Sequence, residues 1–269
     1  MSTIGFIGSG NMAEALIRGI VAAKVYTAQD VFISDIRAER LKELADTYGV
    51  MSCETNAQVV ERSETVVLSV KPQVMSDALQ SIKDAATAGK LFISIAAGIK
   101  TAKIAAALGD IPIIRVMPNT PALIGEGASA LFANDMARPM LDQALTIFSA
   151  VGKAVVVEKE GLIDAVTAVS GSGPAYFFLL MEAMTEAAES LGLPPDVAKD
   201  LVLQTAKGAG LLATEADKGG ESPAVLRRKV TSPGGTTEAA LKVFAANGFQ
   251  KLITDALTAA GDRSRELSG

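Results

Sequence analysis

The sequence predicts an α/β chain whose sheet-forming half is followed by an all-helical half. Short β-branched runs alternate with helical stretches through roughly the first 160 residues, the pattern of a parallel sheet covered by helices on both faces. Strand signals then stop, and the rest reads as successive alanine- and leucine-rich helices. A chain of 269 residues with 49% apolar content exceeds the usual size of one domain and can bury a sizeable core. These observations place a sheet domain at residues 1–160 and a helical domain at 161–269.

Strands are expected at 3–7, 31–34, 65–70, 91–95 and 113–117, with 128–133 and 154–157 as flanking edge strands. Helices fall between them at 12–23, 38–48, 56–61, 72–86, 101–108 and 140–150, several bounded by Gly, Pro or Asp. The second half reads as helices at 163–169, 174–191, 195–216, 222–229, 236–246 and 249–267. In segments such as LVLQTAKGAGLLAT (201–214) Ala and Leu cover more than one stripe, which predicts burial on two sides, most simply against a partner subunit. Gly171-Ser172-Gly173-Pro174 reads as a turn that opens the first long helix, with Pro174 near its first position.

Composition narrows the chemistry. The chain has no histidine and one cysteine, so the usual neutral-pH acid, base and nucleophile are absent. Cys53 cannot form an intramolecular disulfide, no common zinc ligand set exists, and a reducing cytoplasm is the expected compartment. With no base to activate it, Cys53 reads as structural. A net charge of −5 and a pI near 5.0 argue against nucleic acid or an anionic membrane as partner. The N-terminus opens as a strand instead of a signal peptide, and the apolar run at 176–181 is interrupted at Glu182, so no membrane span is expected.

The segment Gly8-Ser9-Gly10-Asn11-Met12-Ala13 has the form G-x-G-x-x-A between a strand and a helix, which makes the sheet half a Rossmann-like dinucleotide-binding domain. Gly8 permits the tight turn, Gly10 lets backbone approach a pyrophosphate, and Ala13 keeps helix and sheet close. The pyrophosphate would sit on the free amides of the helix N-terminus. At the end of the second strand, Ser34-Asp35-Ile36-Arg37 carries both coenzyme signals, an acid for a ribose hydroxyl and an arginine for a 2′-phosphate. If Asp35 turns away, Ser34 and Arg37 can hold the phosphate, so NADPH is expected, with NADH tolerated. Asn56 is counted among the cofactor contacts, as are the later strand ends Val70-Lys71-Pro72, Ala96-Ala97-Gly98 and the segment around Asn119. Lys71 is expected as a contact in preference to a catalytic acid.

A second glycine loop, VTSPGGTTEAAL (230–241), lies in the helical half. Pro233 and the two glycines form a turn, and Thr236 begins a helix with Glu238 in its first turn, so the amides of Gly234 to Thr237 should bind a carboxylate. Two glycines and the hydroxyls of Thr231, Ser232, Thr236 and Thr237 exceed what an N-cap requires. Glu221 is a candidate for stabilising positive charge, although Arg227, Arg228 and Lys229 also offer it a plain ionic patch.

Taken together, GFIGSGNMAEAL (5–16), VKPQ (70–73), SIAAGI (94–99), RVMPNTPA (115–122), VSGSGPAY (169–176) and VTSPGGTTEAAL resemble pyrroline-5-carboxylate reductases, from the first strand into the last helices. The resemblance implies NAD(P)H-dependent reduction of the cyclic imine 1-pyrroline-5-carboxylate to L-proline, the last step of proline synthesis. The substrate carboxylate is assigned to Ser232 and the amides around Gly235 and Thr236, with Gly234 in the same turn. The resemblance carries over Thr237 as the catalytic hydroxyl that bonds the ring nitrogen, with direct binding of the iminium form or a proton relay through water as alternatives to proton donation by Thr237. It also implies helical domains that interlock in a homodimer, an active site combining one subunit's cofactor crevice with its partner's substrate loop, and often a decamer. The β-hydroxyacid dehydrogenases are similar at the N-terminus, but the lysine expected of them is missing from SGSGPAYFFLL (170–180). A non-catalytic nucleotide sensor would not require the hydroxyl and glycine cluster.

Overall fold

The computed structural model describes residues 2–269 and contains two compact units. The first comprises residues up to Pro174 together with Ala259–Gly269, and the second is Ala175–Thr258. The sheet ends near residue 160 as expected, but the compact division falls later, because the helix that follows packs on the sheet and the last helical turns return to it.

The first unit is built on β1 (Ile4–Ile7), β2 (Val31–Ser34), β3 (Met51–Ser52), β4 (Thr65–Leu68), β5 (Leu91–Ser94), β6 (Ile113–Met117), β7 (Gly127–Ala133) and β8 (Gly152–Val156). They form one sheet in the order β3-β2-β1-β4-β5-β6-β7-β8, parallel throughout except at the β6–β7 pair. The short strand β3 is an addition to the expected set, since two residues are too few to show an alternation. β1 and β4 are buried along their whole length, as near-continuous apolar runs in a doubly covered sheet require.

The helices of this unit are α1 (Asn11–Ala22), α2 (Ala38–Tyr48), α3 (Asn56–Arg62), α4 (Met75–Gln80), α5 (Thr101–Leu108), α6 (Leu141–Ser149) and α7 (Leu162–Val166). Alternation along β1 sends Ile4 and Phe6 into a core with Leu16, Ile17 and Phe148, and Ile7 into a second core with Val59, Met75 and Ile104. Each fully buried aliphatic or aromatic side chain contributes about 1.5–3 kcal/mol. The helix expected over 72–86 is shorter, a 3-10 turn at Pro72–Val74 followed by α4. It stops at Ser81, whose hydroxyl donates to the Ala78 carbonyl and accepts from Asn56 Nδ2.

The remaining helices are α8 (Gly173–Ser190), α9 (Pro195–Lys218), α10 (Pro223–Lys229), α11 (Thr236–Ala246) and α12 (Phe249–Ser268). Gly171–Pro174 opens α8 as expected, with Pro174 at its second position, and the π-helical turn Thr167–Gly171 precedes it and joins α7 to α8. Pro174 has no N–H for the Ser170 carbonyl four residues back. The freed Ser170 carbonyl accepts from Asn119 Nδ2 at 3.0 Å. Leu162–Ser190 consequently runs as one helical stretch that is long and apolar enough, by length and composition only, to cross a membrane.

Candidate cofactor and substrate sites

The strand order reverses direction around β1, so the carboxyl ends of β1 and β4 border the crevice in which open α/β sheets bind ligands. Gly8 ends β1 with φ +90°, and a Cβ there would lie 2.8 Å from Val70 Cγ1. Only glycine suits both the dihedral and the close approach. The Ser69 hydroxyl donates to the Gly8 carbonyl at 2.6 Å and joins the two strand ends.

Gly10 stands at the N-cap of α1 with extended backbone, and a Cβ on it would meet nothing within 4 Å. No side chain caps α1, whose first internal bond runs from Glu14 N–H to the Gly10 carbonyl. The amides of Asn11, Met12 and Ala13 therefore stand free at the positive end of the helix dipole, beside open space. This arrangement fits a pyrophosphate.

Ser9 has a different duty. It is fully buried, its hydroxyl donates to the Ser34 carbonyl, and its N–H donates to Asp35 Oδ2 at 2.8 Å. It shapes the loop from beneath, and its polar groups are already engaged. Asp35 does turn inward, and its other oxygen accepts from the Arg37 backbone N–H and Nε at 3.0 Å each. Burial pushes its carboxyl up, but the bonds from Arg37 and Ser9 outweigh this and hold it below the usual range. Arg37 leaves most of its side chain in solvent.

Ser34 is buried and its hydroxyl donates to Asn56 Oδ1 at 2.8 Å, so it cannot present that hydrogen to a phosphate. Asn56 in turn donates to Ser81. Val70, Pro72 and Gly98 are half-buried, Lys71 and Ala97 are exposed, and Ala96 is buried. Gly98 has φ +71° and lies under α12, where its Cβ would stand 3.0 Å from the Leu267 carbonyl. Asn119 also serves the fold: its Oδ1 accepts from Ala128 N–H at 2.8 Å and one Nδ2 hydrogen goes to the Ser170 carbonyl, so its amide ties the sheet to the π turn.

Sequence reasoning missed Arg40, Glu14 and Tyr48. Arg40 Nε donates to the Ser9 carbonyl at 2.9 Å, its terminal nitrogens engage Glu14 and Glu43, and Tyr48 Oη donates to Glu14 at 2.9 Å. The hydrogen bond from Arg40 holds the Glu14 carboxyl below its ordinary value. The only sequence signal was a second arginine three residues beyond Arg37 in the first turn of α2. Also unforeseen was Glu160, which takes the Thr101 N–H at 2.7 Å and hydroxyl at 2.9 Å and pairs with buried Arg115 at 3.3 Å.

In the second unit, Gly234 has φ +72° and Gly235 is the N-cap of α11, again with no side-chain cap. The Gly234 N–H donates to Glu238 Oε2 at 2.7 Å, and the Gly235 N–H to the Ser232 carbonyl at 3.0 Å. These bonds close the turn, so the expected four-amide cradle narrows to Thr236 and Thr237, joined by the Glu238 amide. Thr237 is half-buried, while Ser232 and Thr236 are exposed. Glu221 pairs with Lys229, which satisfies its charge locally.

Elsewhere in the second unit large apolar side chains lie open. The consecutive residues Phe177, Phe178, Leu179 and Leu180 are 42–65% exposed and, at 100° per residue, span the whole circumference of α8. Ala198 and Val202 of α9 are buried, whereas its Leu201, Leu203, Leu211 and Leu212 are exposed. A soluble monomer does not leave such surfaces bare.

Residues 160–267 match the family described as pyrroline-5-carboxylate reductase dimerisation, and residues 3–98 match that of NADP oxidoreductase, coenzyme F420-dependent. A pyrroline-5-carboxylate reductase of Pseudomonas aeruginosa is 51% identical, with 100% of this chain and 98% of the relative covered. This chain belongs to the pyrroline-5-carboxylate reductase family. The family member of Arabidopsis thaliana is 40% identical over 98% of this chain and 95% of its own. The solved pyrroline-5-carboxylate reductase of Coxiella burnetii superposes with a TM-score of 0.94 at 40% identity, covering 100% of this chain and 99% of that one. The Plasmodium falciparum enzyme, solved with NADP bound, gives 0.86 at 30% identity over 100% and 98%. The dimerisation family match spans the helices that carry these open apolar faces.

Proposed function

We propose that this protein reduces 1-pyrroline-5-carboxylate to L-proline with NADPH, tolerating NADH, as the last step of proline synthesis. Family membership supports the reaction, and the uncapped start of α11 behind a glycine turn supports the assignment of the site. The amides of Thr236 and Thr237, with Ser232 beside them, hold the substrate carboxylate, because a helix N-terminus offers oriented donors and a favourable dipole. Gly234 supplies the left-handed residue that the turn requires.

When bound, the reduced nicotinamide supplies a hydride to the imine carbon. The chain's task is to hold the C=N bond close and aligned, which lowers the barrier without a strong acid. A threonine hydroxyl is a weak acid. Binding the protonated imine, whose N–H donates to Thr237 Oγ1, places the reacting proton on nitrogen beforehand and explains why histidine is dispensable. Glu221 stabilises that positive charge only by leaving Lys229.

Arg37 pairs with Asp35 through Nε and one terminal nitrogen, so both coenzyme signals are engaged, and it is the greater exposure of Arg37, 59% against 8% for Asp35, that favours NADPH. The helical domain, from residue 161, interlocks with a partner's, and each active site joins one subunit's crevice to the partner's substrate loop. The Leu162–Ser190 stretch then faces protein and not lipid, in a cytoplasmic enzyme whose dimers assemble further into a decamer. Mixing the protein with NADPH and racemic pyrroline-5-carboxylate tests the reaction. Loss of cofactor absorbance that requires the imine and yields L-proline supports it, whereas cofactor binding without turnover points to a sensor.

A further inference from the structure

Both backbone polar groups of Ser9 are held by side chains of the β2–α2 segment, the N–H by Asp35 and the carbonyl by Arg40. The second contact is the informative one. The Ser9–Gly10 peptide lies between Gly8 and Gly10, whose freedom would let it reorient, so something outside the loop must hold it. A trans peptide is planar, and its C=O and N–H point in opposite directions. Fixing the Ser9 carbonyl on Arg40 therefore fixes the direction of the Gly10 N–H as well.

We propose that Arg40 is a positioning residue for the cofactor's pyrophosphate, acting through the Ser9–Gly10 peptide and not by touching the cofactor's 2′-phosphate. The proposal rests on the cofactor reading above. Arg40 has little capacity left for a phosphate, because its side chain is only 11% exposed and two carboxylates, Glu14 and Glu43, already pair with it. Tyr48 holds the far oxygen of Glu14 at 2.9 Å, which anchors the guanidinium from α1 as well as from α2. Arg37, 59% exposed on the same segment, is the arginine placed to meet a 2′-phosphate. Two arginines three residues apart thus divide the work, one fixing the part of the site common to both coenzymes and the other reading the part that differs.

The test uses Arg40→Met in the full chain, with calorimetric binding of NADPH and of NADH and with amide hydrogen exchange of the cofactor-free protein. We expect both affinities to fall by the same factor, about tenfold, with KM for cofactor changing more than kcat and with faster exchange across residues 9–13. Arg40→Lys should not restore binding, because a single ammonium cannot span Ser9 and Glu14 as a guanidinium fork does. If Arg40→Met fails to fold, Glu14→Gln and Tyr48→Phe loosen the same anchor and should produce smaller but again equal losses. A loss confined to NADPH would make Arg40 a phosphate ligand and overturn the proposal, as would unchanged affinity for both. If the unaltered protein binds neither coenzyme, the cofactor reading itself fails.

Discussion

Asn119 Nδ2 donates to the Ser170 carbonyl at 3.0 Å, and this is the carbonyl that Pro174 cannot serve. A missing backbone donor in one segment is thereby answered by a side chain from another. Asn119→Ala leaves that carbonyl and the buried end of the Ala128 N–H unpaired, at a cost of about 1–3 kcal/mol for each group. We expect the melting temperature to fall by several degrees. Adding Pro174→Ala should recover part of the loss by returning a backbone donor to Ser170, which thermal unfolding of the single and double variants would reveal.

Gly8→Ala places a Cβ 2.8 Å from Val70 Cγ1 at a φ of +90°. Strain and overpacking of about 1–3 kcal/mol each are expected. NADPH binding should weaken together with stability, measurable by calorimetry and thermal melting. Equal binding in the variant would detach Gly8 from the cofactor crevice.

Arg37→Ala should raise KM for NADPH about tenfold while leaving that for NADH nearly unchanged, the size of effect expected from one charged hydrogen bond. Initial rates with the two coenzymes at matched concentrations measure the difference.

Acid should weaken the cofactor loop in a defined direction. Glu14 and Asp35 both have carboxyls held below their ordinary values in the folded chain. Their contribution to stability is therefore complete above the ordinary carboxyl range and is lost as pH falls through the lowered values. Glu14→Gln should flatten the acid limb of a stability-against-pH curve. Cys53 is moved the other way, its thiol pushed up by burial, and should resist alkylation at neutral pH until the chain unfolds.

Much of this architecture was legible because its signals are local. The buried runs of β1 and β4, the glycines at 8 and 10, and the start of α11 at Thr236 all follow from residue type and spacing. The π turn was not, since the donor to the Ser170 carbonyl is Asn119, 51 residues before Ser170 in the chain. The engagement of Ser9, Ser34 and Asn119 escaped for the same reason, as a hydroxyl or amide in a motif does not disclose whether its partner is a ligand or the fold. The Arg40 bond to Ser9 and the Glu160 bonds to Thr101 are tertiary contacts between segments far apart in the chain.

A crystal structure of the protein with L-proline bound tests whether the amides opening α11 hold the substrate's carboxylate beside Thr237. The proline carboxylate should lie within hydrogen-bond distance of the Thr236 and Thr237 amides, with its nitrogen against the Thr237 hydroxyl. Proline bound elsewhere, with residues 232–237 untouched, would contradict the account.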